Sequence, residues 1–442
     1  MHQFLTLVPS NDTLPEAADV VVIGGGVAGV SAAYALAKKG HSVALVEKGY
    51  ISAEQSSRNW GWCRQQNRDP REIPLSQRSL EIWGNLSEEI GADISFRRTG
   101  LIYASHRPED IAAWEAWGKI AQQYQEQTRM LSAAEVTDML PGATGKWIGG
   151  VHSPTDGRAE PGQAMPALAE AARKLGVTIH QQCAARGLDL TAGRVSGVVT
   201  EHGTIRTQAV LCAGGAWAGM FCRHHGVHMA QAGVYSTSFA STPAKEVITG
   251  GLSTPKFTMR RRLDGGYTFG MTGRGRVELS PQSLINARTF WPTFKKRRGG
   301  LTFKIGRSFF EGPGALSRWT HDDISPFERQ RVVDPAADPK LVEEGLSGLA
   351  ALYPELGRLK VAKSWGGLID STPDGIPVIS AIDAIPGFYL AAGFSGHGFG
   401  IGPGAGRLAA DLISGDTPIV DPHPYRHSRM IDGTNLGAPG MM

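Results

Sequence analysis

Three groups of residues carry the chemical signal of this chain. The first is Gly24, Gly26 and Gly29, spaced G-x-G-x-x-G, with Glu47 lying 23 positions beyond Gly24. Gly24 permits a tight turn, Gly26 lets backbone approach a pyrophosphate, and Gly29 lets a following helix pack on the preceding strand. An acid roughly 20 residues on suits a ribose diol, and its charge favours a free 2′-hydroxyl over a 2′-phosphate. The second group is the loop Arg64-Gln-Gln-Asn-Arg-Asp-Pro-Arg-Glu72, preceded by Arg58, Trp60 and Trp62. A guanidinium binds a carboxylate bidentately. Arg64 is the first candidate for that role and Arg58 the alternative. Trp60 and Trp62 are read either as core or as pocket walls. The third group is Gly393-Phe-Ser-Gly-His-Gly-Phe-Gly-Ile-Gly-Pro403. It leads into a helix expected to begin near Pro403, whose orphan N–H groups and positive end would stabilise an anion.

The elements that must position these groups are legible as well. Residues 20–23 are an apolar, β-branched run and read as a buried strand. A helix is expected from about 27 to 39, stopped by Gly40, and a second strand from 42 to 46 ends at Glu47. Strand, turn, helix, second strand and terminal acid in this order make a dinucleotide site the reading of residues 19–48. Residues 49–75 form a polar loop region, followed by an amphipathic helix from about 75 to 90 with Leu80, Trp83 and Leu86 in phase. A strand is expected at 99–104, a helix from Pro108 to about Arg129, and a capping box at Ser132 and Glu135 opening a short helix to Leu140. Residues 162–175 read as a helix, and 177–183, 194–201 and 204–211 as strands. Residues 211–217 end a strand in small residues where backbone can approach a ligand. The block 231–330 alternates and reads as a mostly antiparallel sheet with intervening helices. Its basic clusters, 260–262 and 295–298, read as solvated loops, with an electrostatic patch for a partner as the sharper alternative. The strand 387–392 and the last helix follow, and residues 421–442 read as a loosely packed tail.

Composition sets limits on function. A chain of 442 residues is long enough for two domains. The hydrophobic fraction of 41% and charged fraction of 19% are those of a globular protein. A net charge of +4 from 45 basic and 41 acidic residues argues against a polyanion binder. The four cysteines, Cys63, Cys183, Cys212 and Cys222, lack metal-ligand spacing and suggest no disulfide framework, which favours a reducing compartment and a cytoplasmic location. No metal site is expected. Residues 1–17 lack the basic start of a signal peptide, and no apolar run outside the glycine motif is long enough to span a membrane.

Taken in order, Val22-Ile-Gly-Gly-Gly-Val-Ala-Gly29, Ala213-Gly-Gly-Ala-Trp217, Thr372-Pro-Asp-Gly-Ile-Pro377 and Gly393-Phe-Ser-Gly-His-Gly-Phe399 resemble the D-amino-acid oxidase/sarcosine oxidase superfamily over about residues 20–420. The likeness is nearest to sarcosine, pipecolate and related imino-acid oxidases. It implies an α/β fold with an α+β second domain. A Rossmann-like FAD-binding domain would comprise 18–75, 150–230 and 360–420. A discontinuous substrate domain on a mostly antiparallel sheet would comprise 76–149 and 231–359. The resemblance implies FAD, with Gly24, Gly26, Val27, Ala28, Gly29, Glu47 and Lys48 around the ADP half. Ser56, Ser57 and Arg58 would lie along the pyrophosphate and flavin. Cys183 would sit at the adenine end, Ala213 and Gly214 beside the cofactor, and Gly393, Ser395, Gly396, His397, Gly398, Phe399 and Gly400 around the flavin ring. Residues 364–378 contain no cysteine, so FAD is expected without a covalent link.

The implied reaction removes a hydride from the carbon beside an amine nitrogen of a sarcosine-, proline- or pipecolate-like substrate and gives it to flavin N5, leaving an imine. Arg64 is the expected carboxylate receptor, with Trp62 and Tyr267 as further substrate contacts. His397 is weighed as a catalytic group against a structural histidine. Two departures from the family pattern bear on this. Gly400 stands where such enzymes often carry a carboxylate-binding lysine, and no lysine lies between Lys256 and Lys295 to promote reaction with oxygen. A dehydrogenase with a different electron acceptor therefore competes with an oxidase, with Arg274 or Arg276 as substitutes for the lysine. The chain could also be the flavin subunit of a hetero-oligomeric amine dehydrogenase, or a tRNA-modifying flavoprotein. Only the basic clusters support the tRNA reading, and the modest net charge opposes it.

Overall fold

The computed structural model describes residues 5–439, so residues 1–4 of the N-terminal stretch and 440–442 of the tail lie outside the described residues. The apolar run at 20–23 forms the strand Val20–Ile23, with Val20, Val21 and Val22 no more than 1% exposed. It pairs in parallel with Val43–Glu47 on one side and Ala209–Cys212 on the other. Thr178–Gln181 and Phe388–Ala392 extend the parallel order, and Val378–Ala381 closes one edge in antiparallel fashion, giving six strands. The chain leaves the central strand to one side and returns on the other. A crevice therefore opens beyond the carboxyl ends of Val20–Ile23 and Ala209–Cys212. Alternate residues of the central strands face two apolar layers. Val20, Val22 and Leu45 pack with the helices Val27–Lys38, Pro161–Lys174 and Gly398–Ser414. Val21, Ala44 and Val46 pack with a three-stranded antiparallel sheet and the helix Ala218–His224.

A second sheet of ten strands is mostly antiparallel. Its centre is the long strand Ala232–Ser241, paired with Tyr267–Met271 and with Val361–Ser371. Only two of its pairings are parallel, Gly251–Ser253 with Leu101–Ser105 and Gly275–Leu279 with Leu301–Ile305. The expected capping box forms: Ser132 accepts from the Glu135 N–H, and Glu135 accepts from the Ser132 N–H.

Several expectations are corrected. The strand read as 204–211 is two strands, Gly203–Arg206 and Ala209–Cys212, in different sheets. Thr207 makes the break, donating to the Asp19 carbonyl and accepting from the Ala209 N–H. The strand Ala185–Thr191 had no clear sequence signal. The helix expected to reach Arg129 ends at Gln123, and Gln125 then turns left-handed at φ 57°. The final helix begins at Gly398, five residues before the proline that was read as its start, and Pro403 lies inside it. The Ser79 hydroxyl repairs the ladder there. It accepts from the Gly404 N–H at 3.1 Å and donates to the Gly400 carbonyl at 2.7 Å, so a side chain is inserted where a helical bond would be. The tail is not loose at its start, since Tyr425 and Arg429 are buried and Arg429 pairs with the buried Asp374.

The cluster 260–262 is not a solvated loop. Arg260 is 1% exposed and makes two 2.9 Å bonds to the Glu160 carboxylate, which also accepts from the Leu263 N–H. This pair joins the large sheet to the start of helix Pro161–Lys174. Burial pushes the Glu160 carboxyl up, but the Arg260 charge and its hydrogen bonds more than offset this and hold it at about 2. The folded-state value lies below the ordinary value of about 4.3, so the pair stabilises the fold above that pH and loses its contribution as pH falls toward 2. Glu160→Gln leaves a buried guanidinium uncompensated. It should destabilise the protein by about 3–5 kcal/mol at pH 7 and flatten the acid limb of stability against pH, both read by denaturant unfolding. An unfolding midpoint unchanged from wild type would show that the pair contributes nothing.

Candidate active site

The crevice at the strand ends is built by contact between backbones. Gly24 adopts φ +107°, and a Cβ there would stand 2.5 Å from the Ala213 carbonyl oxygen. A Cβ on Gly29 would stand 2.0 Å from the Gly24 oxygen. The turn and the helix behind it therefore close only with glycine at both positions. Gly26, just before helix Val27–Lys38, offers it no side-chain cap, and the Val27 N–H goes to the Ser56 hydroxyl at 2.8 Å. Glu47 closes the far end, with its two carboxylate oxygens each accepting one backbone N–H, from Gly25 and Gly49, at 2.7 Å. The cavity between them is lined by Gly24, Gly26, Glu47, Lys48, Ser56, Ala213 and Gly214. Val27, Ala28 and Gly29 form the helix start behind it rather than its wall. Cys183 does not line this cavity: its backbone N–H is bound to the Glu47 carbonyl, and Ala185 takes the wall position instead.

A second and larger cavity, about 1140 Å³, lies on the other side of strand Val361–Ser371. Successive side chains of the strand separate the two spaces: Leu368 and Asp370 face the first, Ile369 and Ser371 the second. Gln55 lines both. It packs against Gly367, where a Cβ would meet the Gln55 Oε1 at 2.5 Å. Ser395, Gly396, His397, Phe399 and Gly400 form one wall of the large cavity, at the start of helix Gly398–Ser414. Gly393 and Gly398 lie behind that wall. The Thr372-Pro-Asp-Gly-Ile-Pro377 motif buttresses it: the Thr372 N–H donates to the Ser395 hydroxyl, and Asp370 accepts from the Gly393 N–H at 2.7 Å.

His397 donates from Nδ1 to the Glu72 carboxylate at 3.0 Å, both side chains being buried. A carboxylate on Nδ1 fixes the proton there and leaves Nε2, which has no partner among the described residues, as an acceptor. Burial pulls the His397 pKa down to about 4, with the Arg68 charge adding to this and Glu72 opposing it.

The opposite wall is aromatic. Trp60 and Trp62 meet edge to face with centroids 5.6 Å apart, and Tyr103 and Trp114 continue the row. Gly270 makes room for the Trp60 indole, where a Cβ would stand 2.0 Å from the ring, and Gly251 packs closely against Leu101 and Trp62. Arg64 lines the cavity, donates to the Gln66 carbonyl and lies 6.0 Å from the Tyr103 ring. Arg58, the alternative carboxylate receptor, bonds the Ala53 and Gly366 carbonyls and Asp334, tying its short helix to Val361–Ser371. Ser57 faces a separate polar cleft with Glu160 and Arg260. Tyr267 is corrected: it is fully buried, with its hydroxyl bonded to Lys245 and Val247 backbone, and does not line the cavity. Arg274 stands at the cavity wall, while Arg276 pairs with Glu278 and stacks on Tyr235 away from it. Sequence reasoning passed over Arg68, which is 2% exposed yet lines the cavity. Its place four residues after Arg64 in a polar turn was the available signal. Gly400 also gains a reason, since a Cβ there would press on Trp62, Cys63 and Arg64 backbone at 3.2–3.4 Å.

The residues present fit a dinucleotide with a second aromatic ring system. The glycine cradle would take the pyrophosphate and Glu47 the ribose of such a group. The wall strand and helix Gly398–Ser414 meet the larger cavity, which also has room for a small substrate. A family model described as FAD dependent oxidoreductase (DAO) matches residues 19–412. Sarcosine oxidase subunit beta of an Arthrobacter species is 24% identical over 423 residues, covering 94% of this chain and 91% of that protein. The structure of L-amino acid deaminase from Proteus myxofaciens in complex with anthranilate superposes with a TM-score of 0.91 and 29% identity, covering 96% of each chain. L-Proline dehydrogenase from P. horikoshii superposes with a TM-score of 0.77 and 26% identity, covering 95% of this chain and 99% of that one.

The state of His397 is directly measurable. Its imidazole should titrate near pH 4 in the folded protein, so that it is neutral at pH 7, and Glu72→Gln should lower the midpoint further by removing the opposing charge. Histidine-labelled NMR reads both, and a wild-type midpoint near 6.5 would contradict the assignment.

Proposed function

We propose that this chain, which belongs to the DAO family of FAD-dependent oxidoreductases, oxidises the C–N bond of a small secondary amine or imino/amino acid of the sarcosine, proline or pipecolate kind. The observation that carries this reading is the shared cavity. One void of about 1140 Å³ is lined both by the glycine-rich segment at Ser395–Gly400 and by Arg64 and an aromatic wall. Bound FAD supplies the hydride acceptor. We take it to be held without a covalent cysteine link, because among the described residues no cysteine lines the large cavity.

The chain's own residues do the rest. Gly24, Gly26, Glu47 and Ser56 hold the nucleotide half, and the positive end of helix Gly398–Ser414 faces the cavity, where it favours negative charge. The aromatic row excludes water and confines the substrate side chain. Arg64 orients a carboxylate, so that the carbon beside the nitrogen is held toward the Ser395–Gly400 wall. An amine gives up hydride only with its nitrogen lone pair free. His397 Nε2, left as an acceptor by the Glu72 bond at Nδ1 and kept unprotonated by burial and the Arg68 charge, can accept a hydrogen bond from the neutral amine and orient its nitrogen.

A second reading keeps the same chemistry in a larger assembly. The similarity to a protein named as a subunit and the exposed Trp291, Phe303, Ile305 and Phe310 favour it. The tRNA-modifying reading loses one of its two supports, because Arg260 and Arg262 are buried in ion pairs.

Anaerobic mixing with N-methyl, cyclic, and D- and L-amino acids should bleach the flavin band for one class of substrate, and readmitted air then separates oxidase from dehydrogenase. His397→Gln should slow bleaching by roughly 10-fold, the loss of one positioning hydrogen bond, while the oxidised spectrum persists. A panel in which no amine bleaches the flavin would refute the proposed reaction.

A further inference from the structure

We infer that the segment 281–310 is a docking surface for an anionic lipid bilayer, on which the protein lies with one wall of its large cavity toward the headgroups. This holds whichever amine is oxidised.

Charge and apolar exposure set this segment apart. Between 281 and 310 there are seven basic residues and no acidic one. Without them the chain's net charge of +4 would be −3, so a slightly acidic molecule carries one strongly basic segment. Arg288, Lys295, Arg298, Lys304 and Arg307 are exposed and form no ion pair among the described residues. The basic cluster 260–262 differs, since Glu160 and Asp264 neutralise it. Large apolar side chains stand in water among these charges: Ile285 is 59% exposed, Trp291 53%, Ile305 74% and Phe310 78%. The helix Ala287–Arg297 has no buried residue. The strand Leu301–Ile305 is the outermost of the ten-stranded sheet, and four of its five residues are exposed.

The pattern of the charges selects the occupant. A second copy of the chain would set seven cations against seven. The core of a protein–protein contact is depleted of charge, and of lysine in particular. Here cations and aromatics interleave instead. The Lys295 ammonium lies 5.4 Å from the Trp291 ring, and Lys304 stands between Phe303 and Ile305 in the strand. That is the composition of a segment lying in a membrane interface, with aromatic and aliphatic side chains among the headgroups and basic ones on anionic phosphates. At 11 residues the helix is too short to span a bilayer, so it lies on one. The same helix and strand wall the large cavity through Phe290, Phe294 and Phe303, and the last two meet edge to face at 5.6 Å. Docking therefore sets that cavity next to the bilayer surface.

The test is cosedimentation of the full-length holoenzyme with vesicles of phosphatidylcholine alone or of equal parts phosphatidylcholine and phosphatidylglycerol. Wild type should partition onto the anionic vesicles at least about 30-fold more strongly than onto the neutral ones, and should lose at least about tenfold when salt is raised to about 0.5 M. Lys295→Glu with Lys304→Glu should weaken anionic binding at least about tenfold, and Ile305→Ser with Phe310→Ser at least about fivefold. All four side chains are exposed and none lines the cavity, so the visible flavin band should be unchanged. Lys119→Glu with Lys174→Glu, an equal charge reversal at exposed sites elsewhere, should change binding by less than about twofold. Equal partitioning onto both vesicles, or an equal loss in the Lys119 and Lys174 variant, overturns the assignment. So does a dimer in sedimentation velocity without vesicles that Ile305→Ser with Phe310→Ser dissolves, which would give the face to a second copy. Retention only by vesicles that carry membrane protein would give it to a protein partner and likewise overturn it.

Discussion

The structure depends on backbones that touch. At the nucleotide crevice Gly24 lies on Ala213 and Gly29 on Gly24, with no space for a Cβ between them. The same holds where the first and last helices meet. A Cβ on Gly406 would stand 2.5 Å from the Ala32 nitrogen, and one on Gly402 2.3 Å from the Val27 side chain. Close approach of these two helices brings the start of each to the cofactor region from the same layer. Their positive ends then point into neighbouring cavities rather than into solvent. The glycines give up conformational entropy for this, and the surrounding apolar layer, with Val20, Val22, Leu36 and Leu408 fully buried, offsets it.

Strand Val361–Ser371 turns that packing into a site with two chambers. Alternation assigns its side chains to opposite faces, so one strand separates the smaller cavity from the larger and still contacts both. Asp370 shows how this wall is locked. Its carboxylate accepts the Gly393 N–H and its carbonyl the Ser395 N–H, holding the glycine-rich loop in the left-handed turns at Gly393, Ser395 and Gly396. Burial pushes the Asp370 carboxyl up to about 6, the cost of placing an acid there.

Charge follows the same division. Arg260–Glu160 joins the large sheet to the start of helix Pro161–Lys174, and Asp374 gathers Arg71 and Arg429 to hold the tail against the loop that carries the arginines. Those buried charges are paired and hydrogen-bonded, as a low-dielectric interior requires. Arg64 and Arg68 are different. They face an open volume beside aromatic rings and a neutral histidine, an arrangement suited to a ligand and not to internal cohesion.

Much of this was already written in the sequence. The strand at 20–23, the glycine turn, the helix after it and Glu47 follow from short-range sterics, because a G-x-G-x-x-G turn leaves few conformations to choose from. The Ser132–Glu135 capping box and the amphipathic helix Ile73–Ile90 are local too. What local pattern could not determine was which charges would be buried and against what. Arg260 read as solvated, and its partner Glu160 lies 100 residues away in sequence. Tyr267 read as a pocket residue, but cross-strand packing turned it to backbone partners in the core. The start of the last helix was misplaced because Pro403 is a helix breaker on its own. It is tolerated only where the Ser79 hydroxyl, from a distant helix, completes the interrupted ladder. Arg68 stood in plain view beside Arg64. Only the tertiary structure shows it buried without an acid, because that depends on where every neighbouring carboxylate places its hydrogen bonds.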